Sequence, residues 1–278
     1  MSTTATVESW SGKNRGDENF PVGSLLIRRD LRRHVHAFYA FARNADDIAD
    51  SATLGPEEKV ARLDVMEAVL LGRAETGSPA ALRLRASLAE TSVTPRHATE
   101  LLIAFRQDAT KLRYESWEEL YTYCRYSAMP VGRQVLDLHG EARTTWEPSD
   151  ALCTSLQVLN HLQDGRNDLQ SLDRCYLPTD LLAQHGARVD DLRLPSATPA
   201  LRRVFDALLD RAAELNRTAL ELPRRTRGRG LRLETAVIVG LAQRLTRRLR
   251  RADPVAGRVK LARTDVALSI LAATRFLL

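Results

Sequence analysis

Aspartates recur four residues apart at two places in the chain, Asp46 and Asp50 within "NADDIAD" and Asp164 and Asp168 within "NHLQDGRND". At about 3.6 residues per helical turn, this spacing sets both carboxylates of a pair on one side of a helix. Like charges so placed repel by ~0.2–0.5 kcal/mol per pair, which an isolated pair on a solvated face answers with nearby arginines. Two such pairs, each inside a largely apolar stretch, call for a different partner. Hard divalent cations are one, because oxygen-rich sites suit Mg2+, which keeps several waters and bridges a few carboxylates to substrate phosphates. Gln157 and Asn160 continue the second pair backwards, so Gln157, Asn160, Asp164 and Asp168 form one polar stripe.

The elements that must hold these groups are helices. Apolar residues recur at three- and four-residue intervals, as in Val60, Leu63, Val69 and Leu70 or Leu201, Val204, Phe205, Leu208 and Leu209, and no alternating strand pattern occurs. Glycine and proline clusters break the pattern, predicting helices over 30–51, 57–72, 79–91, 95–109, 116–139, 148–171, 200–221, 231–251 and 263–277. The breaks have the length of ordinary helix connections, so an all-α fold with one domain spanning 1–278 is expected.

With 278 residues, 44% of them hydrophobic, the chain can bury a sizeable core, and its net charge of +6 favours an anionic partner. Three cysteines without a CxxC pair support neither a disulfide framework nor a thiolate metal site, and suit a reducing cytoplasm. The six histidines lack metal-ligand spacing, and there is no glycine-rich nucleotide loop or GxSxG elbow. The opening stretch has no signal-type apolar core. The longest apolar pattern, "DVALSILAATRFLL", is interrupted by Asp265 and Arg275 and suits a bilayer surface or an apolar pocket better than a span. Arginine runs at 224–230 and 243–254 allow a basic helical protein that binds lipid or nucleic acid, but no DNA-binding motif accompanies them.

Taken with the two aspartate helices, the stretches "ENFPVGS", "FYAFARNADDIAD", "RQDATKLRY", "YCRYSAMPVG", "LQVLNHLQDGRND" and "DRCYLP" resemble the squalene/phytoene synthase family of isoprenoid synthases over most of the chain. The resemblance implies a helical bundle around a central cavity in which Asp46, Asp50, Asn160, Asp164 and Asp168 hold Mg2+ against a prenyl diphosphate. It also implies catalytic roles for Tyr39 and Tyr123 beside Asp46 and Asp164, and substrate-binding roles for Phe20, Arg43, Asp108 and Gln157. Within the family, "ENFPVGS", "DATKLRY" and "SAMPVGR" are most similar to the hydroxysqualene synthase branch of hopanoid pathways, which takes presqualene diphosphate to hydroxysqualene. Ala242 departs from the pattern, standing where many members carry a tyrosine of the diphosphate site.

The resemblance leaves head-to-head condensation of farnesyl or geranylgeranyl diphosphate, giving presqualene diphosphate, squalene or phytoene, as the neighbouring activity. It predicts a cytoplasmic protein whose basic surface visits the inner membrane, with no nucleic-acid partner and an oligomeric state that the residues leave open.

Overall fold

A computed structural model describes residues 6–8 and 26–276. Phe20 therefore lies outside the described residues. Among the described residues there are twelve α-helices and no strand, only an isolated bridge between Arg113 and Cys175.

The first half is a four-helix group. Helices α1 (Arg32–Ala49), α2 (Pro56–Leu70), α3 (Pro79–Thr91) and α4 (Arg96–Asp108) bury one apolar cluster. In α1 the cluster is fed by Phe38, Phe41, Ala45 and Ile48, whose three- and four-residue spacing puts them on one face. Starts are set by local chemistry: Pro56 and Pro79 open α2 and α3, where a missing N–H costs nothing, and the Ser78 hydroxyl accepts from Ala81 N to cap α3.

A second apolar cluster is built on α7 (Trp146–Leu172), the longest helix at 27 residues. Around it pack α5 (Trp117–Ser127), α6 (Met129–Leu138), α9 (Pro199–Ala219) and α11 (Arg229–Arg251). The approach of α6 to α7 requires Gly132, where a Cβ would collide with Ser149 Oγ and Cys153 Sγ. The short α8 (Thr179–His185) and α10 (Glu221–Arg225) flank α9, and α12 (Arg263–Ala273) lies on α11.

Two expectations need correction. The single helix predicted over 116–139 is broken at Ala128, whose backbone leaves the helical region so that Pro130 falls in the first turn of α6. The stretch 178–199, expected to be a connection throughout, contains α8 and a 3-10 segment, Val189–Arg193, because Leu182 and Leu192 both reach the core. No helix among the described residues is long and apolar enough to cross a membrane.

Candidate active site

Tyr39, Arg43, Asp46 and Asp50 follow one another along α1 by steps of four, three and four residues, and all four are half-buried. They share the stripe beside the buried face of the helix. The Arg43 guanidinium lies 2.9 Å from Asp46 Oδ2 and donates to Asp47 Oδ1 at 2.6 Å, so one cation answers two neighbouring carboxylates. Burial and the adjacent Asp50 push the Asp46 carboxyl well above the usual range, while Arg43 pulls the other way. Although about a third of the Asp46 side chain (34%) remains accessible, protein closes around it on enough sides to make desolvation the leading cause.

The second stripe is carried by α7, where Gln157, Asn160, Asp164 and Asp168 are half-buried while Val158, Leu159, Leu162 and Leu169 enter the core. Asp164 is paired with Arg258 from the connection between α11 and α12: Nε lies 3.0 Å from Oδ1 and Nη2 donates to Oδ2 at 3.1 Å. This is a forked, charge-assisted contact.

A buried polar group lies between the two helical halves. Asp108, at the end of α4, accepts from the Tyr123 hydroxyl at 2.7 Å and from the Tyr176 hydroxyl at 3.1 Å. Arg174, only 5% exposed, donates to Asp50 Oδ1 at 2.8 Å, to the Asp108 carbonyl at 2.9 Å and to the Tyr176 hydroxyl at 3.2 Å. Desolvation pushes the Asp108 carboxyl up to about 6 despite Arg174 and the tyrosine hydrogen bonds. The Tyr176 ring also stacks on His161, with centroids 3.6 Å apart. Burial pushes the His161 imidazole down to about 3.

Some of the residues singled out in the sequence are thus brought together. Arg43 meets Asp46, Tyr123 meets Asp108, and Asp50 is linked to Asp108 through Arg174. Tyr123 is buried with its hydroxyl committed to Asp108, and its ring packs against Tyr114 and Tyr176. Among the described residues, no group of three or more His, Cys, Asp or Glu side chains is gathered as a metal cage.

Sequence reasoning missed Arg174, Tyr176, Arg258 and Lys59. Burial and the nearby Arg174 lower the Lys59 ammonium, while Asp50 and Asp108 raise it, which puts this lysine of α2 in the electrostatic field of the same group. The available signal was "DRCYLP", which contains Arg174 and Tyr176.

The squalene/phytoene synthase family model matches residues 13–265. A hydroxysqualene synthase of Rhodopseudomonas palustris is 50% identical over 93% of this chain and 88% of its own. One of Sinorhizobium fredii is 44% identical over 91% and 86%, respectively. The crystal structure of squalene synthase HpnC from Alicyclobacillus acidocaldarius superposes with a TM-score of 0.73 at 35% identity, over 83% of this chain and 87% of that one. These matches agree with the all-helical architecture, and the chain is an enzyme belonging to the squalene/phytoene synthase family, whose chemistry is head-to-head prenyl transfer.

Proposed function

We propose that the chain converts presqualene diphosphate to hydroxysqualene and diphosphate in a Mg2+-dependent reaction. The observation that carries this reading is the 50% identity, across about nine-tenths of both chains, to a relative named hydroxysqualene synthase.

The proposed donors Asp46, Asp50, Asn160, Asp164 and Asp168 offer oxygen only, which fits Mg2+. A preformed cage of three carboxylates is not required, since such sites take one or two carboxylates and complete the shell with water and substrate phosphate. When bound, Mg2+ supplies Lewis-acid neutralisation of the leaving diphosphate.

The chain's own groups do the rest. Arg43 and Lys59 add fixed positive charge for diphosphate oxygens, which favours departure of the carbon-bound oxygen with its electron pair. Tyr39 offers an aromatic face to the resulting carbocation, a contact contributing ~0.5–2 kcal/mol. Tyr123 and Asp108 brace the site through their hydrogen bond, and Gln157 completes the substrate contacts. Addition of water to the rearranged cation forms the new carbon-oxygen bond and releases a proton, giving the alcohol. The enzyme meets these lipids from the cytoplasmic side, at the inner membrane surface.

A second reading, condensation of two farnesyl diphosphates and reduction to squalene by an added nicotinamide hydride donor, draws on the match to the structure of squalene synthase HpnC. Incubation with Mg2+ and either presqualene diphosphate or farnesyl diphosphate, followed by mass spectrometry, separates the two. Hydroxysqualene from presqualene diphosphate alone supports the first; product from farnesyl diphosphate moves the chain to the second.

A further inference from the structure

Helix α12 is built inside out. Its polar residues Asp265 and Ser269 are buried, whereas Val266, Leu268, Ile270 and Leu271 face outward, with Ile270 53% and Leu271 67% exposed. The inward contacts are polar and come from α11: Arg248 Nε donates to Asp265 Oδ2 at 2.5 Å, and Arg244 Nε donates to Ser269 Oγ at 3.1 Å. Gly240 allows the close approach, since a Cβ there would lie 3.1 Å from Ser269 Oγ. Water alone would favour the opposite orientation, so an apolar face held outward by the polar contacts of Asp265 and Ser269 with α11 has a use.

The surroundings of that face are strongly basic. Residues 243–276 carry nine arginines and lysines against two aspartates, and although Arg248, Arg250 and Arg258 are paired with Asp265, Asp210 and Asp164, the others leave the segment basic. Arg263 opens α12, and Arg247 and Arg275 stand exposed at the pocket that α11 and α12 form with Gln243, Arg244 and Ser269. An isologous contact with a second copy would press this basic rim against itself, which disfavours a dimer through the face. An anionic bilayer satisfies both halves of the pattern, taking the apolar side chains below its headgroups and the arginines at its phosphates.

We infer that the outward face of α12, with the Arg247 and Arg275 rim, is the surface by which this enzyme docks on an anionic phospholipid bilayer. The inference deepens the reading that the enzyme meets lipid substrates at a membrane, and it identifies the contact. It leaves the aspartate site untouched, because none of these residues belongs to it.

The test is cosedimentation of the full chain with vesicles of phosphatidylcholine alone or mixed with phosphatidylglycerol. The expected result is binding to the mixed vesicles that weakens with sodium chloride. Ile270→Glu or Leu271→Glu should reduce binding about tenfold through lost insertion. The double change Arg247→Gln with Arg275→Gln should reduce it by a similar factor. All of these variants should retain the circular dichroism of the parent and its turnover of detergent-dispersed substrate. Failure of the unaltered chain to bind, equal binding to both vesicle types, or undiminished binding by Leu271→Glu would overturn the inference. So would light scattering that shows a dimer dissociated by Leu271→Glu, which would assign the face to a second copy. Vesicle binding without any product would count against the enzymatic reading alone, and product without vesicle binding against the docking surface alone.

Discussion

Arg174 donates a hydrogen bond to Asp50 across 2.8 Å although 124 residues separate them in the chain. The contact ties the end of α1 to the segment after α7, and through the Asp108 carbonyl it also ties in the end of α4. Three parts of the proposed site therefore share one buried guanidinium.

Removing that guanidinium leaves Asp50 and the Asp108 group without their cation. Arg174→Met should destabilise the fold by roughly 3 kcal/mol, the scale for stripping one partner from a buried ion pair. Urea denaturation at neutral pH measures it. Arg174→Lys should recover part of the stability but not the three-way contact, because an ammonium lacks the planar fork. Unchanged midpoints for both variants would show that Arg174 is dispensable.

The aspartates of the two stripes carry a different prediction. Asp46→Ala and Asp164→Ala should each lower diphosphate release by about a thousandfold or more, the rate equivalent of several kcal/mol of lost charge stabilisation. Far-ultraviolet circular dichroism should stay helical, because both side chains are only half-buried. Diphosphate-release assays supply the rate, and full activity in either variant would remove the proposed metal site.

Phe41 tests the packing that holds the first stripe. It is fully buried in the first apolar cluster. Phe41→Ala should cost about 3–5 kcal/mol, combining lost transfer energy with the cavity left behind. Thermal unfolding provides the measure.

Acid stability should depend on His161. Its folded-state pKa is pushed down to about 3 by burial, and its ring Nε2 has no hydrogen-bond partner among the described residues. An unfolded histidine titrates near ~6.5, so between that pH and about 3 the unfolded chain binds the extra proton. Stability from this group is therefore complete above the unfolded value and falls as the solution is acidified through the window. Asp108 works in the opposite sense, since its carboxyl, raised to about 6, takes up a proton in the folded state first. Comparing His161→Phe with the parent isolates the histidine: the variant's stability, followed by urea titration from neutral to mildly acidic pH, should fall less steeply. Parallel curves would refute the assignment.

The helices and both aspartate stripes were legible in the sequence because they rest on local periodicity. Phe38, Phe41, Ala45 and Ile48 announce a buried face, and Asp46 and Asp50 announce what stands beside it. Arg174 was not legible as a partner of Asp50, since nothing local links "DRCYLP" to "NADDIAD". The break between α5 and α6 was missed because Pro130 is tolerated within a first helical turn and so marks either a start or a kink. In α12 the composition was plain, but its inverted orientation follows from Arg244, Arg248 and Gly240 on a different helix.

The central claim is that water, rather than a second prenyl chain or a hydride, completes the reaction. Its most direct test is incubation with presqualene diphosphate and Mg2+ in heavy-oxygen water without any nicotinamide, with mass spectrometry of the extracted lipid. The account predicts hydroxysqualene carrying the heavy oxygen at its carbinol carbon; a hydrocarbon formed by proton loss, an unlabelled alcohol or no product from this substrate would contradict it.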